Sequence, residues 1–246
     1  MLAVPSRAAH AIDRISVLAF SMRTPEEVLT GTNDGLYNSL LMSLLTSARF
    51  ETTVAALHQL PGDPMPEVAF VGRSNAGKST AINVLCNRKR LAFASRTPGR
   101  TQALNIFGVG PPDRVVARLV DTPGYGYAAA PLETKKGWDT LAGQYLLRRA
   151  QLFGVVLLVD IRRQLTELDR QLIAWVPVHI PVAAVLTKSD KLSRQQGLMA
   201  ERAVEADLQR IRPGALDEVM QFSALKRTGR ERLVERVEAW LQPGQA

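Results

Sequence analysis

The chain has 246 residues, 46% of them hydrophobic and 22% charged, which supplies enough apolar side chains for a full core and excludes a disordered polymer. One cysteine, Cys86, excludes an intrachain disulfide and a multi-cysteine zinc site, and His10, His58 and His179 are too scattered to form a metal cluster. The net charge of +8 is local: residues 51–120 carry nine basic and four acidic side chains, and Arg88, Lys89, Arg90, Arg96 and Arg100 follow one another with no acid between Ala81 and Pro112, a run suited to a phosphate backbone.

In chain order, residues 1–41 show no sustained period and contain the turn formers of TGTNDG, so a poorly ordered extension is expected there. Ile15 to Met22 makes a poor signal peptide, and no apolar run approaches the roughly 20 residues of a membrane span, so a cytoplasmic protein is expected. LLMSLLTSARF reads as a helix and the prolines of LPGDPMPE end it, giving an N-terminal helix and proline-rich lead-in over 42–66. A domain then runs over 67–241, with a short tail at 242–246. Its strands are expected at 67–71, 103–109, 115–120, 154–160, 181–187 and 219–222, alternating with helices at 78–87, 132–150, 166–175, 194–211 and 229–241. That alternation predicts a three-layer α/β fold: a mainly parallel sheet with helices on both faces. GPPD between 103–109 and 115–120 is a hairpin break, so one antiparallel edge strand is expected.

GRSNAGKST (72–80) fits G-x-x-x-x-G-K-[ST] between a strand and a helix. Gly72 and Gly77 let backbone N–H groups close around phosphate oxygens, and the helix N-terminus adds partial positive charge. Lys78 brings a full charge to the β and γ phosphates, and Ser79 a hydroxyl to Mg2+. In DTPGYGYA (121–128), Asp121 is placed at the Mg2+ and the Gly124 N–H at the γ-phosphate, while Tyr125 stands where Ras-like enzymes carry a water-orienting glutamine. TKSD (187–190) supplies Asp190, whose carboxylate accepts from both N1–H and the 2-amino group of guanine and penalises adenine, with the Lys188 stem along the base. In FSALK, Ser223 and Ala224 offer N–H groups to guanine O6. TPGRTQ (97–102) is a loop that can carry a second Mg2+ ligand, and spacing leaves Thr97 and Thr101 both open.

With LVDIRRQLTELDRQLIAWV and FSALKRTG, these motifs resemble the EngB (YihA/YsxC) family of bacterial GTPases, of the translation-factor-related P-loop class, over roughly residues 42–241. The resemblance implies nucleotide contacts from Gly72, Arg73, Ser74, Asn75, Ala76, Gly77, Lys78 and Ser79, and from Gly99, Arg100, Thr101, Gln102 and Ala103. It extends them to Asp121, Thr122, Pro123 and Gly124, to Thr187, Lys188, Ser189 and Asp190, and to Phe222, Ser223 and Ala224. It places Mg2+ on Ser79, Thr101 and Asp121, gives catalytic roles to Lys78, Asn75 and Thr101, and makes Asn75 the candidate holder of a K+ ion. Thr122 departs from the family, where an apolar residue such as leucine is common. The implied function is slow GTP hydrolysis to GDP in a switch for large-subunit assembly, required for normal cell division and septation. The expected partners are GTP or GDP, the large ribosomal subunit and its rRNA, with no DNA, no membrane span and a monomeric chain. The competing reading is a nucleotide-gated rRNA-binding module with negligible hydrolysis away from the ribosome.

Overall fold

The computed structural model describes residues 43–93, 103–126 and 140–242. Seven strands form one sheet: β1 (Arg49–Val54), β2 (Glu67–Gly72), β3 (Leu104–Val109), β4 (Ala117–Asp121), β5 (Leu152–Asp160), β6 (Val182–Thr187) and β7 (Glu218–Gln221), in the spatial order β1-β3-β4-β2-β5-β6-β7. β4, β2, β5, β6 and β7 pair in parallel, while β3 runs antiparallel to both β1 and β4. Every residue of β2 and β6 is buried, which is why these strands are near-continuous apolar runs rather than alternating ones.

The described helices are α1 (Lys78–Leu85), α2 (Leu141–Arg148), α3 (Glu167–Trp175), α4 (Arg194–Ile211) and α5 (Arg230–Leu241). Side-chain oxygens cap three of them: Thr140 for α2, Thr166 for α3 and Ser193 for α4, the last two in reciprocal capping boxes with Asp169 and Gln196. α1 and α5 bury Ile82, Leu85, Leu233 and Val237 on one face of the sheet. α2, α3 and α4 bury Tyr145, Leu146, Ile173, Val204 and Leu208 on the other. Each such side chain contributes about 2 kcal/mol of transfer free energy, and together they clamp the parallel strands so that the loops at their carboxyl ends converge.

Two expectations are corrected. The helix expected to run from Leu41 through Phe50 is a single 3-10 turn at Leu44–Ser47, and Arg49–Val54 is a strand paired with β3. Phe50, Thr52, Thr53 and Val54 are aromatic or β-branched and fit a pleated edge better than a helix. In consequence the antiparallel strand β3 lies one place inside the edge. Of the helix expected over 132–150, Leu141–Arg148 is helical, and 127–139 lies outside the described residues.

Candidate functional site

The loop between β2 and α1 turns back on itself through two unusual backbone positions. Gly72 has φ 149° and passes so close to β5 that a Cβ there would lie 2.5 Å from the Leu158 carbonyl oxygen. Gly77 caps α1 at φ 99°, a conformation natural to glycine. Between them Asn75 is left-handed at φ 65°. The Thr187 hydroxyl at the end of β6 bridges the carbonyls of Ala76 and Val159, at 2.8 and 3.1 Å, and so pins the loop to the sheet. Lys78 Nζ donates to Gly72 O at 3.1 Å, and burial lowers its pKa against the opposing pull of Asp121.

Asp121, at the carboxyl end of β4, is 6% exposed. Its Oδ2 accepts from Ser79 Oγ at 3.5 Å, and its Oδ1 is buried with no partner. Burial raises its pKa to about 6, although Lys78 and Ser79 pull the other way. A buried carboxylate oxygen without a partner, beside a hydroxyl, is a hard-oxygen donor set suited to a divalent cation that keeps most of its waters.

The turn that follows is docked on the phosphate loop. Ser74 N–H donates to Tyr125 O at 3.0 Å. A Cβ on Gly124 would sit 3.0 Å from Ser74 N and 3.1 Å from Lys78 Nζ, so Gly124 lies directly over the loop. Thr122 buries its hydroxyl without leaving it unpaired, because it donates to Phe70 O at 2.9 Å. The Tyr125 side chain reaches α3, where its hydroxyl donates to Asp169 Oδ1 at 2.6 Å. Burial and the Asp169 carboxylate raise the phenol pKa well above its ordinary value.

On the opposite side, Lys188 takes a left-handed conformation (φ 58°) and donates from Nζ to Asn75 O and to Asp160 Oδ2, both at 3.0 Å. Arg162 also pairs with Asp160 and, with Lys188, holds its pKa below the carboxylate range. Ser223 Oγ donates to Asp190 Oδ1 at 2.7 Å, which lowers the Asp190 pKa, and the other carboxylate oxygen faces Lys191 Nζ at 3.7 Å. Ser189 N–H donates to Phe222 O, tying the TKSD and FSALK segments together. One expectation needs revising: the Ser223 N–H donates to Thr228 O, so this residue acts through its hydroxyl on Asp190.

Ser79, Asp121, Lys78 and Gly124 are thus brought together, and Asn75, Lys188, Asp190 and Ser223 line the adjoining side. Ala103 is buried at the start of β3; Thr97 and Gly99, Arg100, Thr101 and Gln102 lie outside the described residues. Sequence reasoning missed Asp160, which grips Lys188, and Asp169, which grips Tyr125. Asp160 had a usable signal, an acid at the carboxyl end of a buried parallel strand.

A glycine-turned loop closed on Lys78, a buried Asp121 beside the Ser79 hydroxyl, and Asp190 held by Ser223 form the arrangement of a P-loop nucleotide-binding protein of the GTPase class. A family profile described as "MMR_HSR1: 50S ribosome-binding GTPase" matches residues 67–188. A "Probable GTP-binding protein EngB" of Paraburkholderia phymatum is 54% identical over 207 residues, 82% of this chain and 94% of the relative, and the Burkholderia ambifaria protein of the same name matches equally over the same shares. A solved structure of "a probable GTP-binding protein engB" is similar in fold, with TM-score 0.53 at 21% identity, covering 71% of this chain and 98% of that one. The chain belongs to the EngB family of GTP-binding proteins and is a GTPase. Its family implies a divalent metal, and Asp121 with Ser79 fits one. Among the described residues no helix is long and apolar enough to cross a membrane.

Proposed function

We propose that this GTPase is a nucleotide-gated switch in the assembly of the large ribosomal subunit, acting in the cytoplasm as a monomer, with normal cell division and septation depending on it. The observation that carries the switch is the turn docked on the P-loop: the Ser74–Tyr125 backbone bond and the packing of Gly124 against Lys78 occupy the approach to the phosphates. An arriving γ-phosphate offers Gly124 N–H and Lys78 better partners, so GTP and GDP favour different placements of this turn. The ribosomal half is supported by the family profile's description and by the exposed basic turn Arg88–Arg90 at the end of α1, the helix that begins at the P-loop.

In this reading the N–H groups of residues 73–79 cradle the phosphates and Lys78 neutralises the bridging oxygens. Asp190 and Lys188 hold guanine, with Ala224 N–H toward O6. Ser79, Asp121 and Thr101 would hold Mg2+, which would supply charge stabilisation to the transferred phosphoryl group. Tyr125 does not orient water, since its hydroxyl is committed to Asp169. The exposed Asn75 side chain, free of partners among the described residues, would hold K+, which would supply a fixed positive charge at the phosphates. Equal hydrolysis in Na+ and K+, unchanged in Asn75→Ala, removes that role.

The test is co-sedimentation with large-subunit particles: binding is salt-sensitive and strongest with a non-hydrolysable GTP analogue, and equal binding in all nucleotide states refutes the switch. The committed Tyr125 hydroxyl is also the observation that favours the second reading, a binding module whose hydrolysis is negligible alone. Single-turnover cleavage with and without particles separates the two.

A further inference from the structure

Beside the P-loop lies a cavity of about 140 Å³ that shares Arg73–Ala76 and Lys188 with the residues assigned to GTP, while the rest of its wall is the end of β5, the turn after it and Asp169. Four cations, Arg73, Arg162, Arg163 and Lys188, face two carboxylates there. Both carboxylates are already committed. Asp160 accepts from Arg162 and Lys188 at 2.7 and 3.0 Å, and Asp169 accepts from the Tyr125 hydroxyl, the Thr166 hydroxyl and the Thr166 N–H.

The guanidinium groups of Arg73 and Arg163 make no hydrogen bond or ion pair among the described residues. Gly126 makes room for the first of them: at φ 78°, a Cβ there would come within 3.0 Å of Arg73 Nε. Two guanidinium forks on the wall of one concavity, without partners among the described residues and with the local acids neutralised, match the oxygens of a phosphate group. Arg163 is exposed and belongs to the cavity's wall, so the group can be carried by a larger molecule. The pI near 10.1 favours a polyanion.

We propose that this cavity is an anion site that receives a backbone phosphate of an RNA; only the origin of that RNA rests on the ribosomal reading above. Such a phosphate would touch Arg73 and the turn that leads into α3, the helix that carries Asp169, and so would couple RNA contact to the loop that holds GTP.

The test uses the full chain loaded with GDP and Mg2+, titrated with a single-stranded uridine decamer, with inorganic phosphate and with large-subunit particles. Arg163→Glu should weaken decamer binding at least fivefold and lower the slope of log affinity against log salt by about 0.7, one phosphate contact on a single strand, with GDP affinity unchanged. Arg202→Glu on α4, the same change of net charge on another exposed surface, should leave both within twofold. Absence of decamer binding by the wild type, or equal decamer affinity in wild type and Arg163→Glu, or an equal loss in Arg202→Glu, overturns the proposal. Displacement of the decamer by inorganic phosphate at equal concentration assigns the site to free phosphate and overturns its RNA part. A wild type that holds the decamer through Arg163 yet ignores the particles overturns the ribosomal reading and leaves the anion site standing.

Discussion

Asp121 and Tyr125 sit four residues apart in one turn and divide its work. Asp121 carries a buried charge whose Oδ1 has no partner, and its pKa is raised to about 6 against an ordinary 3.8. A carboxyl with a raised folded pKa stabilises the fold when protonated, and that contribution is lost as pH rises through about 6. Asp121→Asn should therefore raise the stability of the nucleotide-free protein by about 3 kcal/mol at pH 8, by roughly half of that at pH 5, and leave it nearly unchanged below about pH 3, as read by denaturant midpoints. The same variant should lose the gain in GTP affinity that Mg2+ gives the wild type. Tyr125→Phe removes the bond to Asp169, a residue only 2% exposed, and leaves its Oδ1 without that donor, at a cost of about 1–2 kcal/mol. Its single-turnover hydrolysis should change less than threefold, because the phenol is not a water-orienting group; a hundredfold loss would place it in the chemistry. The position of Tyr125 was legible as a missing glutamine, but its partner was not. Asp169 lies 44 residues away and also reads as a local helix cap, so nothing in the sequence shows its second bond.

At the scale of elements, the strands and helices whose burial is nearly complete were the ones read correctly from pattern. β2, β5 and β6 are buried on both faces and announce themselves as apolar runs, and α4 lies within its capping box where its 3.6-residue period begins and ends. The misread segment, Arg49–Val54, is an edge strand: it has one neighbour, an irregular register between Phe50 and Thr52, and only Val54 fully buried. Its strand character comes from pairing with β3, a contact between residues 50 to 59 positions apart that local propensity does not encode. Helix packing on the sheet was likewise hidden until the fold was known. Trp240 of α5 lies flat over Gly154 of β5, where a Cβ would approach the ring within 2.1 Å of Cε3. Gly154→Ala should push α5 off the sheet and destabilise by about 2–3 kcal/mol in equilibrium unfolding. Asp160, at the far end of the same strand, should keep its grip on Lys188, so GDP affinity measured on the folded fraction should change by less than threefold.

At the scale of the molecule, the sheet separates the functional edge from a stapled edge. The carboxyl ends of β2, β4, β5 and β6 carry Gly72, Asp121, Asp160 and Thr187, all of them around the candidate nucleotide site. At the opposite end Glu67, at the start of β2, accepts from the Tyr145 hydroxyl and the Arg149 guanidinium, and Arg149 also donates to Pro61 O. Nearby, Arg118 on β4 is 3% exposed and forms forked pairs with Glu51 of β1 and Asp63 of the proline-rich lead-in. These contacts fasten segment 51–67 under the sheet, so the lead-in is part of the folded unit. Arg118→Met keeps the side-chain length but removes every donor, leaving two half-exposed carboxylates side by side at the sheet end. A loss of about 2 kcal/mol is expected, smaller than for a fully buried pair because water reaches both acids. The increment in stability produced by saturating GDP and Mg2+ depends only on ligand concentration and affinity, about 2.7 kcal/mol at a hundred times Kd. If the two edges act independently, wild type and Arg118→Met should gain the same increment at the same GDP concentration, whereas a smaller gain in the variant would mean that strain at the stapled edge travels along β2 and β4 to the phosphate loop.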